Sequence, residues 1–307
     1  MARGVHGEKI VALLTNAKLP KSDVARVNAA IARYDAWIHE LQTADAPTLS
    51  KLVSVLVHNL TMYKLYIDLD FIFDSEEDFL YRQKGQLKLD NTVMEEFLPI
   101  FVRRCIEKET GSCDLVISSQ AQVFSSAYFE SSLAVPAIGG GLQIKTKAQD
   151  FSISRPLHLL ASYSSGFEDD QTLMRTTSLG YTMAELKTNL DKTMFQEAAA
   201  TAHDVKIAIP SSKYYLLCDF LDMKPISTST TDIEAIFILR KAKRISSNVR
   251  KSYATYSGRV AGRAAYKDYL WSHPYSVELF EDFIGRILQQ LAFDDLSEED
   301  VLNRGLF

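Results

Sequence analysis

In the first third of the chain, apolar positions recur at helical spacing. In KSDVARVNAAIARYDAWIHELQTA, residues Val24, Val27, Ile31, Trp37 and Leu41 fall near one face behind Ser22 as a cap. The runs APTLSKLVSVLVHNLTMYKLYIDL and NTVMEEFLPIFVRRCIEKE repeat the pattern, so residues 1–110 are expected to form a helical N-terminal region. From Gly111 the texture changes. DLVISS, AQVFSSAYFESSL, GLQIKT, DFSIS, PLHLLASYSS and LGYTMAELKT read as strands, separated by VPAIGGG and GFEDDQT. A helix is expected from about Asn189 to Lys206, ended by Pro210, and KYYLLCDFLDM is apolar enough for the middle of a sheet. IEAIFILR fits one more strand or a short helix, and YSVELFEDFIGRILQQLAFDDLSEED fits an amphipathic helix with an acidic tail.

Composition adds limits. With 307 residues, 47% hydrophobic and 24% charged, the chain suits a soluble globular protein of one large domain or two to three smaller ones. No run of eighteen apolar residues occurs and the start lacks the apolar core of a signal peptide, so no membrane insertion is expected and a cytoplasmic location is. Cys105, Cys113 and Cys218 are too scattered for a disulfide framework or a thiolate zinc site. The six histidines contain no HExxH, His158 and His203 read as ordinary core-edge or surface residues, and there is no GxSxG elbow.

Charge is unevenly spread. The net value of −5 argues against wholesale coating of nucleic acid. Yet between Arg240 and Lys267 nine cations, including Lys241, Lys243, Arg244, Arg250, Lys251, Arg259 and Arg263, occur with no acidic residue, interleaved with Tyr253, Tyr256, Tyr266 and Tyr269. Solvated helix faces mix signs, so this segment is expected to meet DNA phosphates, with some arginines free to read guanine edges. The contacts expected are Arg240, Lys243, Arg244, Arg250 and Lys251, joined by Lys145 and Lys147 after the Gly139–Gly141 turn. That turn lacks the GK(S/T) ending of a phosphate loop. DLDFIFDSEEDF, with Asp68, Asp70, Asp74, Glu76, Glu77 and Asp78, lacks EF-hand spacing and reads as a solvated acidic turn.

The chemistry concentrates at the end of a strand. Side chains two apart on a strand share a face, so Glu185 and Lys187 form one polar spot while Leu186 enters the opposite layer. A carboxylate that holds Mg²⁺ beside an ammonium suits phosphodiester hydrolysis; a surface ion pair is the plainer alternative. The same (D/E)-x-K spacing recurs at Asp204/Lys206 and Asp222/Lys224. The former lies on a helix, where residues two apart diverge by roughly 200°. The latter runs into Pro225 with no helix beneath it.

The segment YTMAELKTNLDKTMFQEAAATAHDVKIAIPSSKYYLLCDFLDMKPIS resembles the catalytic segment of type II restriction endonucleases of the PD-(D/E)XK superfamily, and within it the BbvCI-like group. Those enzymes use two catalytic subunits to cut the two strands of an asymmetric site. GGGLQIKTKAQDFSISRPLHLLAS and ILRKAKRISSNVRK extend the likeness from about Gly111 to near Lys267. The resemblance implies an α/β PD-(D/E)XK nuclease core over residues 111–235, a mixed central sheet flanked by helices. A helical N-terminal region precedes it at 1–110, and a basic, mainly helical C-terminal region follows at 236–307. It makes Glu185 the metal-binding carboxylate and Lys187 the catalytic lysine. The partner carboxylate is expected upstream: Asp150 is the first choice, while Asp169 and Asp170 are nearer in sequence. Glu197, on the following helix with Asp191, is a further candidate ligand through water or a plain helix-surface charge, and Glu130 a similar case. The implied cofactor is Mg²⁺. The implied partners are double-stranded DNA and a second, non-identical nuclease subunit, with a homodimer the alternative. A DNA-binding protein without catalysis, an inactive nuclease-fold subunit and a helical interaction protein are the competing readings.

Overall fold

A computed structural model of the chain describes residues 3–292 and 298–305. The helical N-terminal expectation matches the structure. Helices α1 (Val5–Ala12), α2 (Val24–Thr43), α3 (Leu49–Leu65), α4 (Phe79–Gln83) and α5 (Thr92–Thr110) pack one against another. The hydroxyl of Thr48 accepts Lys51 N–H and so satisfies one of the donors that the start of α3 leaves free. Helix α3 then widens into a π-helical segment, Tyr66–Phe73, whose last turn closes with Asp74 N–H donating to Leu69 O. Helix α2 begins after a 3₁₀ turn at Lys21–Asp23, and Ser22 donates to Glu77 instead of capping it.

Five strands make one sheet in the order β1-β2-β3-β4-β5, with β1 (Val116–Phe129), β2 (Leu142–Ser162), β3 (Thr172–Leu190), β4 (Lys213–Leu221) and β5 (Ala235–Lys243). The first three pair antiparallel; β3–β4 and β4–β5 are parallel. Helix α6 (Lys192–Ala208) makes the β3–β4 crossover, and its N-terminus is capped by Asp191, which accepts Met194 N–H. The six short strand runs of the sequence are therefore three long strands. Pro156 does not break β2, because by then β2 has left β1 and pairs on one side only, where a proline costs no ladder bond.

The ladders also bend. The β2–β3 register shifts between Ile153 and Ser154, and the two ends of the antiparallel region curl together. Arg175 Nε donates to Leu142 O at 3.1 Å, and the hydroxyls of Ser131 and Tyr163 lie 2.9 Å apart. Gly139 (φ +55) is needed at this closure: a Cβ there would stand 2.4 Å from Ala161 O.

Alternation along the strands splits the core into two layers. Phe151, Ala184, Leu186, Tyr215, Leu217 and Phe237 face the N-terminal helices and α9 (Val277–Leu291), which follows α7 (Ser247–Ser252) and α8 (Tyr256–Ser272). Met183, Tyr214, Leu216 and Cys218 face Phe195, Ala198, Ala202 and Val205 of α6. A short α10 (Glu298–Arg304) follows; the expected acidic tail falls partly on 293–297, outside the described residues.

The acidic turn is solvated only in part: Asp70, Glu76 and Glu77 are exposed, but Asp68 is buried in an ion pair with Lys64 at 2.6 Å, and the basic segment grips the backbone of the turn. Buried Arg259 donates to the carbonyls of Phe73, Ser75, Glu77 and Tyr253, and Arg263 forks onto Asp74 at 2.6 and 2.8 Å. Two charge clusters that read as separate surfaces are partners, because a guanidinium satisfies several carbonyls that a tight turn leaves unpaired.

Candidate active site

The sheet forks where the acidic residues lie. The β2–β3 ladder ends at Phe151↔Ala184; before that point β2 pairs only with β1, and from Thr182 on β3 pairs with β4. Asp150 and Glu185 stand at this fork. The parting leaves Leu186 N–H without a β2 carbonyl, and Asp150 Oδ2 accepts it at 2.9 Å. Glu185 accepts from Lys187 Nζ at 2.5 Å and from the Tyr214 hydroxyl at 3.4 Å. Leu186 points into the opposite layer, as the alternation requires.

Electrostatics at the fork are tense. Burial and the nearby Glu185 charge push the Asp150 carboxyl up to about 6, against the Leu186 hydrogen bond and Lys187. Burial works to lower the Lys187 pKa, but the hydrogen bond to Glu185 and the charges of Glu185, Asp150 and Glu197 hold it above its ordinary value. Two crowded carboxylates with one raised pKa mark a place where a hard cation relieves repulsion. Among the described residues no three His, Cys, Asp or Glu side chains form a ready cation cage. Mg²⁺ needs less: one or two carboxylates, with waters and substrate phosphate completing the shell. Asp150 and Glu185 fit that donor set.

One neighbour escaped the sequence reading. Glu95 on α5 is buried, accepts from Gln120 Nε2 at 3.1 Å, and adds its charge to those raising Asp150. It sits in an unremarkable helical run far upstream, and no local spacing marks it. Glu197 is exposed on α6 and close enough for its charge to act on Lys187.

Other expectations are corrected by position. Asp169 and Asp170 are exposed in the turn joining β2 to β3, a whole ladder away from Glu185. Asp191 is committed to its cap, and Glu130 is exposed beyond the end of β1. The two rejected D-x-K carboxylates have other partners: Asp204 takes Lys147 at 2.5 Å, and Asp222 takes Arg244 at 2.9 Å. Arg240 is buried in the fold, its guanidinium 4.1 Å from the Tyr275 ring centroid and donating to His273 O. It has no surface to offer DNA. Lys145, Lys243 and Lys251 are exposed, half-buried Arg250 donates through Nε to Ile245 O, and none of these four has a carboxylate partner among the described residues.

The fold is an α/β core with an acidic pair and a lysine at the fork of its sheet, and the chain has relatives among known proteins. The family model described as Bpu10I restriction endonuclease matches residues 86–307, well over half of the chain. The chain belongs to that family and is a type II restriction endonuclease. Among solved structures, the native BbvCI A2B2 tetramer is similar at 16% identity and a TM-score of 0.53, covering 87% of this chain and 98% of that one. No curated protein matches. No helix among the described residues is long and apolar enough to cross a membrane.

Proposed function

We propose that the chain is one subunit of a Mg²⁺-dependent PD-(D/E)XK restriction enzyme that hydrolyses one strand of a specific, asymmetric double-stranded site, in the cytoplasm of its host. The observation that carries the reading is the fork, which brings Asp150, Glu185 and Lys187 together while every other (D/E)-x-K carboxylate is paired elsewhere.

Each residue has a part. Asp150 and Glu185 would hold Mg²⁺, which when bound supplies a water acidic enough to attack phosphorus and a charge that stabilises the crowded phosphate. The Leu186 N–H and the Tyr214 hydroxyl keep the two carboxylates aimed into the fork. Lys187, whose ammonium lies at the fork on Glu185, would hydrogen-bond the attacking water or a non-bridging phosphate oxygen. Attack in line with the 3′ oxygen leaves a 5′-phosphate and a 3′-hydroxyl.

One such site cuts one strand, so a double-strand break needs a second site. The similar BbvCI assembly contains two kinds of subunit, A and B, and we read this chain as needing a non-identical partner in the same way. Exposed Lys243 and Lys251 with Arg250 supply phosphate contacts on the same chain. Incubation of plasmid DNA with the chain, alone and with the product of a neighbouring nuclease gene, tests this reading. Nicking or cleavage in Mg²⁺ but not in chelator is expected; equal cleavage in chelator contradicts it.

A further inference from the structure

A cleft of about 370 Å³ opens beside the fork, walled by Phe220, Tyr253, Tyr266 and Tyr269, with Asn91 in its lining and Arg250 among its polar groups. We propose that it receives the base of one nucleotide of the DNA substrate, swung out of the helical stack. The proposal rests on the reading of the fork as the place where DNA is cut.

Position is the first argument. β3 carries Lys187 to the fork, and the next two residues, Thr188 and Asn189, line the cleft. Helix α5 does the same in parallel, since Glu95 is close enough for its charge to act on Asp150 and Asn91 is one turn earlier on the same helix face. A small second cavity is lined by Lys187 of the fork together with Asn91 and Thr188 of the cleft. A nucleotide adjacent to the scissile phosphate is the part of the substrate within reach.

Chemistry is the second. The cleft volume lies within the roughly 300–1,000 Å³ of small-molecule sites. Its walls are held in place, with Tyr266 stacked on Phe73 at 4.5 Å and Tyr269 tilted against the neighbouring wall Phe220 at 5.7 Å. Rigid aromatic walls suit a planar base. The Oδ1 of Asn91, the N-cap residue of α5, is buried, has no hydrogen-bond partner and makes no capping bond. An unmet amide acceptor beside aromatic walls fits an exocyclic amino group or ring N–H of a base. The Arg250 guanidinium, with no carboxylate partner among the described residues, fits the attached phosphate.

Two arms test this. Calorimetric titration of the purified chain with each deoxynucleoside 5′-monophosphate, without divalent metal, reads the cleft apart from cleavage. Binding of at least one is expected, weakened tenfold or more by Asn91→Ala and by Gly85→Trp. Gly85 lines the cleft and a Cβ there meets nothing within 4 Å, so a bulky side chain at this position is chosen to narrow the cleft, and an unchanged melting temperature checks that the variant is folded. In the second arm, duplexes of the cleaved site with a mismatch stepped along it are bound in Ca²⁺, with the second subunit where binding requires it. A mismatch lowers the cost of unpairing, so one position should bind at least tenfold tighter, and Gly85→Trp should remove that gain. No monophosphate binding, binding equal in both variants, or no favoured mismatch position overturns the proposal. Failure of metal-dependent cleavage leaves the monophosphate heats unchanged, so the two readings fail separately.

Discussion

The carboxylate of Asp150 accepts the backbone N–H of Leu186 at 2.9 Å, across the gap where β2 and β3 part, and this bond places it beside Glu185. A hydrogen bond that an unbroken ladder would give to a carbonyl goes to an acidic side chain instead. The same backbone that separates the strands thus gathers the charges.

That crowding should be visible in stability against pH. The Asp150 pKa is about 6 in the folded protein, above the ordinary value of 3.8, so the folded state holds the extra proton between those limits. Stability is then lost as pH rises through this window, by at most about 3 kcal/mol at 1.36 kcal/mol per pKa unit. Asp150→Asn is expected to raise the melting temperature at pH 7.5, with the gain fading as pH falls from 6 toward 4. A gain equal at both pH values, or none, would remove the repulsion from the account.

Metal affinity should follow the same titration. Above pH 6 Asp150 is free to ligate, and below it the proton competes, so Mg²⁺ affinity should fall by up to about tenfold per pH unit. Calorimetry from pH 5 to 8 measures this, and Asp150→Asn should flatten the dependence.

Arg259 and Arg240 should behave as structural groups. Removing Arg259 strands the carbonyls of Phe73, Ser75 and Glu77, and removing Arg240 empties a buried cation site facing Tyr275. Each alanine variant should lose about 3–5 kcal/mol in urea unfolding. A loss under 1 kcal/mol would show that these guanidiniums are dispensable.

Lys243, Arg250 and Lys251 should behave oppositely. Their combined alanine variant should unfold within about 1 kcal/mol of wild type. It should lower the slope of log K against log salt by about 0.9 for every phosphate that these side chains neutralise. An unchanged slope would place the DNA elsewhere on the molecule.

What could be read from the sequence divides by range. Helical spacing predicted α2, α3 and α5, and the Glu185-Leu-Lys187 spacing with its following helix was legible because strand, cap and crossover are contiguous. Asp150 came from a resemblance, and Glu95 was invisible, since only the tertiary fold brings α5 to the fork. Arg240 and Arg259 were misread for a related reason. A run of cations looks like a surface until one sees that a strand buries the first and an acidic turn claims the second.

The most direct test of the site is Lys187→Ala, assayed for cleavage in Mg²⁺ and for DNA binding in Ca²⁺, together with the second subunit. The account predicts that this subunit's strand cleavage falls by at least about 10²–10³-fold, as for loss of one transition-state donor, while binding changes less than about twofold. Cleavage of that strand at the wild-type rate would contradict the assignment of Asp150, Glu185 and Lys187 as the catalytic centre.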